Sequence, residues 1–335
     1  MGNQCLSIAL CTYNGTNYLQ EQLDSIAAQT RLPDELVICD DRSSDNTVDI
    51  IKLFASKVAF PVHLYINEKN LKTIKNFEKA ISLCRGDVIV LSDQDDVWKP
   101  YKVESILTAF REHPGSGYVF SNAELVDENL RSLGSSLWKS QGIEDSVIKE
   151  YNPGEQVRIL LKKNLVWGVT MAFRSSLKEL ILPISQSFFM HDAWIALLAS
   201  CAGFYGVPLS DSLVYYRQHT TQQVGSKDNT LIDKLKAAKN SEYDTYKIIE
   251  QGLLDAKSRL LLMKPSISRN ISIELSLIQQ KAEHFSNRAL IGSSSNFPLK
   301  MKALMSDTLR GKYHYYSNSW ISIVKDLVTA GITSR

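Results

Sequence analysis

Three carboxylates stand within four residues at Asp93-Gln94-Asp95-Asp96, directly after the apolar run Asp87-Val88-Ile89-Val90-Leu91. Acids this close repel one another, and a fold tolerates them poorly without a counter-charge. A divalent cation with oxygen ligands answers that need. Mg2+ or Mn2+ keeps part of its water shell and takes one or two carboxylates together with phosphate oxygens. Such a site suits a leaving diphosphate, whose negative charge grows as its bond breaks. A solvated acidic turn is the plainer alternative. Phosphotransferases with an aspartyl nucleophile also place Asp-x-Asp after a strand, which would make Asp93 the nucleophile. Two features oppose that use. The motif comes after three complete β-α units, and a second acidic pair, Asp40-Asp41, would have no role in it.

The elements that must position these acids are legible as alternating periods. Leu6 to Cys11, Leu36 to Cys39, Val62 to Ile66 and Asp87 to Leu91 have strand length and apolar character. Between them, residues 16–29, the stretch through Ile50, Ile51 and Phe54, and residues 74–84 carry apolar side chains at helical spacing, with Ser44 or Asp45 placed to cap the second helix. Repeated β-α units with continuous apolar strands predict an α/β fold with a mainly parallel central sheet and helices on both faces. Ligands of such sheets sit beyond the carboxyl ends of the strands. That rule selects Cys11-Thr12-Tyr13-Asn14, Asp40-Asp41, Asn67-Glu68-Lys69-Asn70 and Ser92 to Asp96. Further on, residues 118–121, 169–173 and 213–217 read as strands and 193–202 as a buried helix. After Gly225 the pattern is helical to the end, broken at Pro265 and Pro298.

The 335 residues suffice for one large or two modest domains, and 44% hydrophobic with 22% charged residues excludes a disordered chain. A net charge of +2 gives no reason to expect nucleic acid. The charge is uneven: residues 1–225 hold 21 Lys+Arg against 26 Asp+Glu, and residues 226–335 hold 17 against 10. Five cysteines, none at CxxC spacing, predict reduced thiols rather than a disulfide framework. The N-terminus lacks the features of a signal peptide, and no apolar run reaches spanning length. The expectation is an intracellular protein.

Three segments carry a resemblance to a known family. Cys11-Thr12-Tyr13-Asn14-Gly15, Val37 to Thr47 and Leu91-Ser92-Asp93-Gln94-Asp95-Asp96-Val97-Trp98 resemble family-two glycosyltransferases of GT-A fold. The form Ser-Asp-Gln-Asp-Asp-x-Trp, with Met190-His191-Asp192-Ala193-Trp194 and Tyr216-Arg217-Gln218-His219, is similar to bacterial rhamnosyltransferases of cell-surface polysaccharides. The resemblance covers residues 5–225, roughly the domain 1–225, and leaves 226–335 as a helical extension.

What the resemblance implies is specific to positions. Thr12, Tyr13, Asn14, Asp41, Asn70 and Asp93 would meet the nucleotide, with Asp41 accepting from the base N–H. Asp93 and Asp95 would meet the metal, joined by His219. Asp192 would be the general base that takes the acceptor's proton as its oxygen attacks the anomeric carbon. Asp192 is also a favoured residue type for a helix N-cap before Ala193. Trp167, Gly168 and His191 would line the acceptor site, although Trp167 also fits plain core, His191 packing, and His219 an ordinary loop. The implied reaction moves L-rhamnose from dTDP-L-rhamnose onto a lipid-linked glycan at the cytoplasmic membrane face. A UDP-hexose donor, an aspartyl phosphotransferase and a non-catalytic nucleotide-sugar-binding scaffold are the alternatives. Two departures from the family pattern stand out. Lys72 replaces a common glycine, and Thr220-Thr221-Gln222-Gln223 stands where relatives place an asparagine.

In the tail, Lys300, Lys302, Arg310 and Lys312 flank Leu299, Met301, Leu304, Met305 and Leu309, followed by Tyr313, Tyr315, Tyr316 and Trp320. This reads as a basic amphipathic helix lying on an anionic membrane. A helical cap on the catalytic domain, or a homodimer contact, is the other use of such a tail.

Overall fold

The protein is seen in a computed structural model that describes residues 4–219 and 231–332. The chain divides into two compact units. One holds the described residues up to Gln156, then Leu165–Ile184, then those from Met190 to His219. The other holds Val157–Asn164, Ser185–Phe189 and the described residues from Leu231 onward.

The first unit is built on a nine-stranded sheet. β1 (Leu6–Thr12), β2 (Glu35–Asp40), β3 (Val62–Ile66) and β4 (Val88–Ser92) are parallel and lie in the order β3-β2-β1-β4. Ala9 in β1 pairs with Val37 on one side and Leu91 on the other. β1, β2 and β4 are buried on both faces, which is why they read as continuous apolar runs. Each buried Val, Leu or Ile there contributes about 1.5–3 kcal/mol. β3 is the edge strand and half-buried, so it accommodates His63 and Tyr65.

The intervening helices are α1 (Leu19–Ala27), α2 (Thr47–Ala55) and α3 (Lys72–Leu83). Leu19, Leu23 and Ile26 of α1, Ile51 and Phe54 of α2, and Phe77, Ala80 and Ile81 of α3 are buried. α1 begins later than its periodicity predicts because residues 15–18 form a turn, with the Tyr18 and Leu19 amides both donating to Gly15 O. The expected cap of α2 shifts by one residue. Asn46 is the N-cap and makes no side-chain cap bond, whereas Asp45 Oδ1 accepts from Thr47 N at 3.1 Å and Thr47 Oγ1 at 2.5 Å.

Beyond β4 the chain forms β5 (Val97–Trp98), α4 (Lys102–Glu112), β6 (Ser116–Val126), β7 (Ser132–Ser136), β8 (Met171–Arg174) and β9 (Tyr205–Arg217). β8 pairs antiparallel with β4, β6 antiparallel with β8, β9 parallel with β6, and β5 antiparallel with β9. The sheet is therefore parallel through its first four strands and mixed beyond them. β6 and β9 are longer than expected, and Val169–Thr170 lies in a 3-10 turn rather than a strand. Because β1 to β4 point the same way, their carboxyl ends place Tyr13-Asn14, Asp41, Asn67–Asn70 and Asp93–Asp96 along one edge.

The second unit is helical: Leu231–Met263, Ser272–Ser293, Phe297–Leu309, Lys312–Tyr316 and Trp320–Ile332. Its interior holds an apolar cluster around Ile291, Leu304 and Tyr313, and a polar network. His284 meets Asp307 Oδ2 at 2.7 Å and Ser317 Oγ at 2.7 Å, and Arg288 pairs with Asp326 at 2.9 Å. Two of the basic residues expected on an amphipathic face leave it. Lys300 and Lys312 point inward, together with Leu304, Tyr313 and Tyr316, while Met305 and Leu309 face solvent. The reason is local pairing: Lys312 Nζ lies 3.1 Å from Glu283 and 3.7 Å from Asp307. Among the described residues, no helix is long and apolar enough to cross a membrane. Among the described residues, the cysteines form no disulfide.

Candidate active site

Of the acids after β4, Asp96 is buried and Asp93 and Asp95 are half-buried. Burial, followed by the charges of Asp95 and Asp192, pushes the Asp93 carboxyl up to about 7, with Lys102 pulling the other way. Asp96 is fully buried. Its Oδ1 accepts from Arg217 N at 3.1 Å, and its Oδ2 has no hydrogen-bond partner among the described residues. Burial and the neighbouring Asp95 and Asp93 raise Asp96 well above the ordinary carboxylate range.

The counter-charges are few and specific. Lys102, on α4, is buried, donates to Val169 O at 2.8 Å and sits 3.7 Å over the Trp98 ring. Burial lowers its ammonium to about 7, while Asp96 and Asp93 hold it up. Arg217, at the end of β9, donates Nε to Asp95 O at 2.8 Å, reaches Glu128 O and Glu21, and lies 4.5 Å over the Tyr18 ring. Two residues later, His219 Nε2 meets Asp95 Oδ2 at 2.9 Å. The β9 terminus is thus laced to the acids that follow β4.

Asp192 lies in the first turn of the His191–Cys201 helix. The N-cap is Met190, so Asp192 is not the cap. Its Oδ1 accepts from Ala193 N at 2.6 Å and its Oδ2 from Gly168 N at 2.6 Å. Burial pushes the carboxyl up to about 6, against the pull of those backbone N–H groups. It is close enough to Asp93 for its charge to raise Asp93. Beside it, His191 is buried and stacked on Phe77, with ring centroids 4.0 Å apart. Burial lowers the imidazole to about 3, so it is neutral, and neither ring nitrogen has a hydrogen-bond partner among the described residues. Gly168 is required here: a Cβ would stand 2.9 Å from His191 Nε2. Trp167 is half-buried and packs on the main core.

The loops after β1, β2 and β3 interlock. Gln94 holds the Tyr13 backbone from both sides, accepting its N–H at 2.8 Å and donating to its O at 3.0 Å. Thr12 Oγ1 donates to Asp40 Oδ2 at 2.8 Å, and Asn14 Oδ1 accepts from Ser44 N at 2.8 Å. Asp41 Oδ1 accepts from Asn67 Nδ2 at 2.9 Å and Leu71 N at 2.6 Å, and Oδ2 from Lys72 N at 2.9 Å. A carboxylate offers about four acceptor sites. Among the described residues, Asp41 Oδ2 therefore accepts fewer hydrogen bonds than it could. Asn70 Oδ1 accepts from Lys72 N at 3.2 Å.

Each of these three loops holds a non-glycine residue in the left-handed region: Asn14 (φ 48°), Arg42 (φ 65°) and Lys72 (φ 68°). Strain of this kind, about 1–2 kcal/mol per L-residue, collects where surrounding contacts over-determine the backbone. Lys72, where the family resemblance leads one to expect glycine, adopts the left-handed conformation that glycine takes most readily.

Of the expected site residues, Asp95 meets His219, Asp93 lies near enough to Asp95 and Asp192 to feel their charge, and Gly168 donates to Asp192. Thr12, Tyr13, Asn14, Asp41 and Asn70 line the loops of the same strand edge. Thr220 to Gln223, which stand where the family pattern has an asparagine, lie outside the described residues. The roles of Lys102, Gln94 and Asp40 were not foreseen. Lys102 shares a helix stripe with the buried Ile106 and Ala109, which is the signal that places it inside.

The donor set suits a divalent cation. A carboxylate, an imidazole and an orphaned buried carboxylate oxygen stand where negative charge outweighs its counter-ions. Among the described residues, no three such side chains already converge as a complete metal site, so substrate oxygens and water would supply the remaining ligands.

A sequence profile described as glycosyl transferase family 2 matches residues 7–180. Curated relatives include a glycosyltransferase of Nostoc sp., 25% identical over 221 residues, 64% of this chain and 65% of the relative. Another is the dTDP-rhamnosyl transferase RfbG of Shigella flexneri, 27% identical over 233 residues, 65% of this chain and 74% of that protein. The chain spans 59–65% of the length of several of the curated relatives it matches. Among solved structures, residues 1–349 of S. aureus TarS, in complex with UDP-GlcNAc, match at a TM-score of 0.57 and 17% identity. That match covers 98% of this chain and 90% of TarS 1–349. The fold is that of GT-A glycosyltransferases, with a helical C-terminal region.

Proposed function

The chain belongs to glycosyl transferase family 2, and from that premise we propose that it is an inverting transferase that moves a sugar from a nucleoside-diphosphate donor to an acceptor hydroxyl, with Asp192 as base. The observation that carries this reading is the buried Asp192 carboxylate, held by the Gly168 and Ala193 amides and close enough to Asp93, about a hundred residues earlier in sequence, for their charges to interact.

The chain's own residues supply the steps. The loops after β1, β2 and β3 hold the nucleoside, with Asp41 Oδ2 taking a base N–H. Asp192 accepts the acceptor's proton as the hydroxyl oxygen forms its bond to the anomeric carbon and the bond to the diphosphate breaks. A carboxyl near pH 6 suits this role, since it is ionised at neutral pH yet basic enough to take the proton. The Gly168 and Ala193 amides fix its orientation. Asp95, His219 and Asp93 would hold Mn2+ or Mg2+, whose charge, when bound, offsets that of the departing diphosphate.

The favoured donor is dTDP-L-rhamnose and the favoured acceptor a lipid-linked saccharide at the cytoplasmic face of the membrane, with the protein peripheral to it. The Ser92-Asp93-Gln94-Asp95-Asp96-Val97-Trp98 segment and the likeness to RfbG support this choice. A thermal-shift panel of nucleotide sugars with Mn2+ tests it, because a ligand that binds the native state raises its stability. dTDP-L-rhamnose should give the largest shift. A larger shift with a UDP-hexose would reassign the donor, and no shift with any nucleotide sugar would remove the transferase reading.

A further inference from the structure

The Trp320–Ile332 helix leaves a row of large apolar side chains in water. Trp320, Ile321, Val324, Leu327 and Val328 are 47–75% exposed. At 3.6 residues per turn these positions fall within about 120° of arc. Ser322, Asp326 and Ala330, on the opposite side, are buried. On the Phe297–Leu309 helix, Met305 and Leu309 face solvent in the same way. Single exposed leucines are ordinary, but a whole helix face is not.

Charge decides what covers this face. Residues 297–332 contain two acids, Asp307 and Asp326, and both are buried. Asp307 is held by His284 at 2.7 Å, and Asp326 by Arg288 at 2.9 Å and the Tyr313 hydroxyl at 2.6 Å. Lys302 and Arg310 are exposed, and Lys325 is half-exposed beside the apolar arc. The segment therefore shows solvent apolar and cationic side chains, and none of its acids. A second copy docked through the same face would set like charges together. An anionic lipid surface takes both the cations and the apolar side chains. Exposed Trp320 and Tyr315 are of the types that gather at the membrane–water boundary. A 13-residue helix is about 20 Å long, too short to cross a hydrocarbon core of about 30 Å, so it would lie in the plane.

We propose that the Trp320–Ile332 helix, with Met305 and Leu309, forms an interfacial docking face for an anionic phospholipid surface. This face differs from the basic stripe read in the sequence, since Lys300 and Lys312 take no part. The inference rests on the peripheral location proposed above, and it stands apart from the donor and the base.

The test sediments the full chain with phosphatidylcholine vesicles and with vesicles carrying phosphatidylglycerol in equal part, without nucleotide sugar. Binding to the anionic vesicles is expected. It should weaken about tenfold or more in an Ile321→Gln, Val324→Gln, Leu327→Gln variant, because less apolar area enters the interface. Lys302→Glu with Arg310→Glu should weaken it by a smaller factor and reduce its salt dependence. All five positions are exposed, and an unchanged thermal midpoint verifies the fold of each variant. Absence of wild-type binding overturns the proposal, as does equal binding by the triple variant. Self-association that the triple variant abolishes, without vesicle binding, would give the face to a second copy and also overturn it. The donor thermal shift is read on the same samples, so failure here is distinguishable from failure of the transferase reading.

Discussion

Asp95 and His219, 124 positions apart in sequence, meet at 2.9 Å through Oδ2 and Nε2. The contact joins the loop after β4 to the end of β9, and it exists because β5 pairs with β9 at Val97–Tyr215. It gives the acidic centre an imidazole donor that the Asp93-Gln94-Asp95-Asp96 segment lacks. Removing that donor should weaken metal binding more than donor recognition. His219→Ala is expected to raise the Mn2+ concentration for half-maximal transfer by about tenfold or more. Titration of activity against Mn2+ measures it, and an unchanged midpoint would exclude His219 as a ligand.

The raised carboxyl of Asp192 predicts an acid limb. Its folded value, about 6, lies above the ordinary 3.8. A base must be ionised, so kcat/KM should rise tenfold per pH unit below about pH 6 and level off above it. The sign for stability is opposite. The protonated form is favoured on folding, so this contribution is complete below pH 3.8 and lost as pH rises through 6. Activity should therefore fall in a pH range where this group makes the fold more stable. A profile flat down to pH 5 would assign the proton transfer to another group.

Lys72 makes a separate, purely conformational prediction. With φ at 68°, it carries the strain of a side chain in the left-handed region. Lys72→Gly keeps the N–H that Asp41 accepts at 2.9 Å and removes that strain. The unfolded state gains entropy, which offsets part of the benefit. A net gain of up to about 1 kcal/mol is expected in chemical denaturation. A loss of stability would mean that the Lys72 side chain makes a contact worth more than the strain.

The legible parts of this molecule are those whose signal is local. β1, β2 and β4 are apolar on both faces, so they stand out as runs, and the acids at their ends follow from strand direction. β9 is legible in the sequence only over residues 213–217, because Pro208, Ser210, Asp211 and Ser212 interrupt its pattern. Its pairing with β6 shifts register near Ser121 and Asn122, which accommodates them. The inward turn of Lys300 and Lys312 was equally hidden. Periodicity places a lysine on a wet face, and only contacts with Glu283 and Asp307, from other helices, reverse that for Lys312. Lys102 is the intermediate case, since its buried helix stripe was present in the sequence but its acidic neighbours were not.

The central claim is that Asp192 takes the acceptor's proton, and Asp192→Asn tests it most directly. The change keeps the shape of the side chain and removes its basicity. Transfer and donor affinity should be measured on the same preparation. A fall in kcat of about 10²–10⁴-fold is expected, with donor affinity by calorimetry essentially unchanged. Turnover close to that of the wild type in this variant would contradict it.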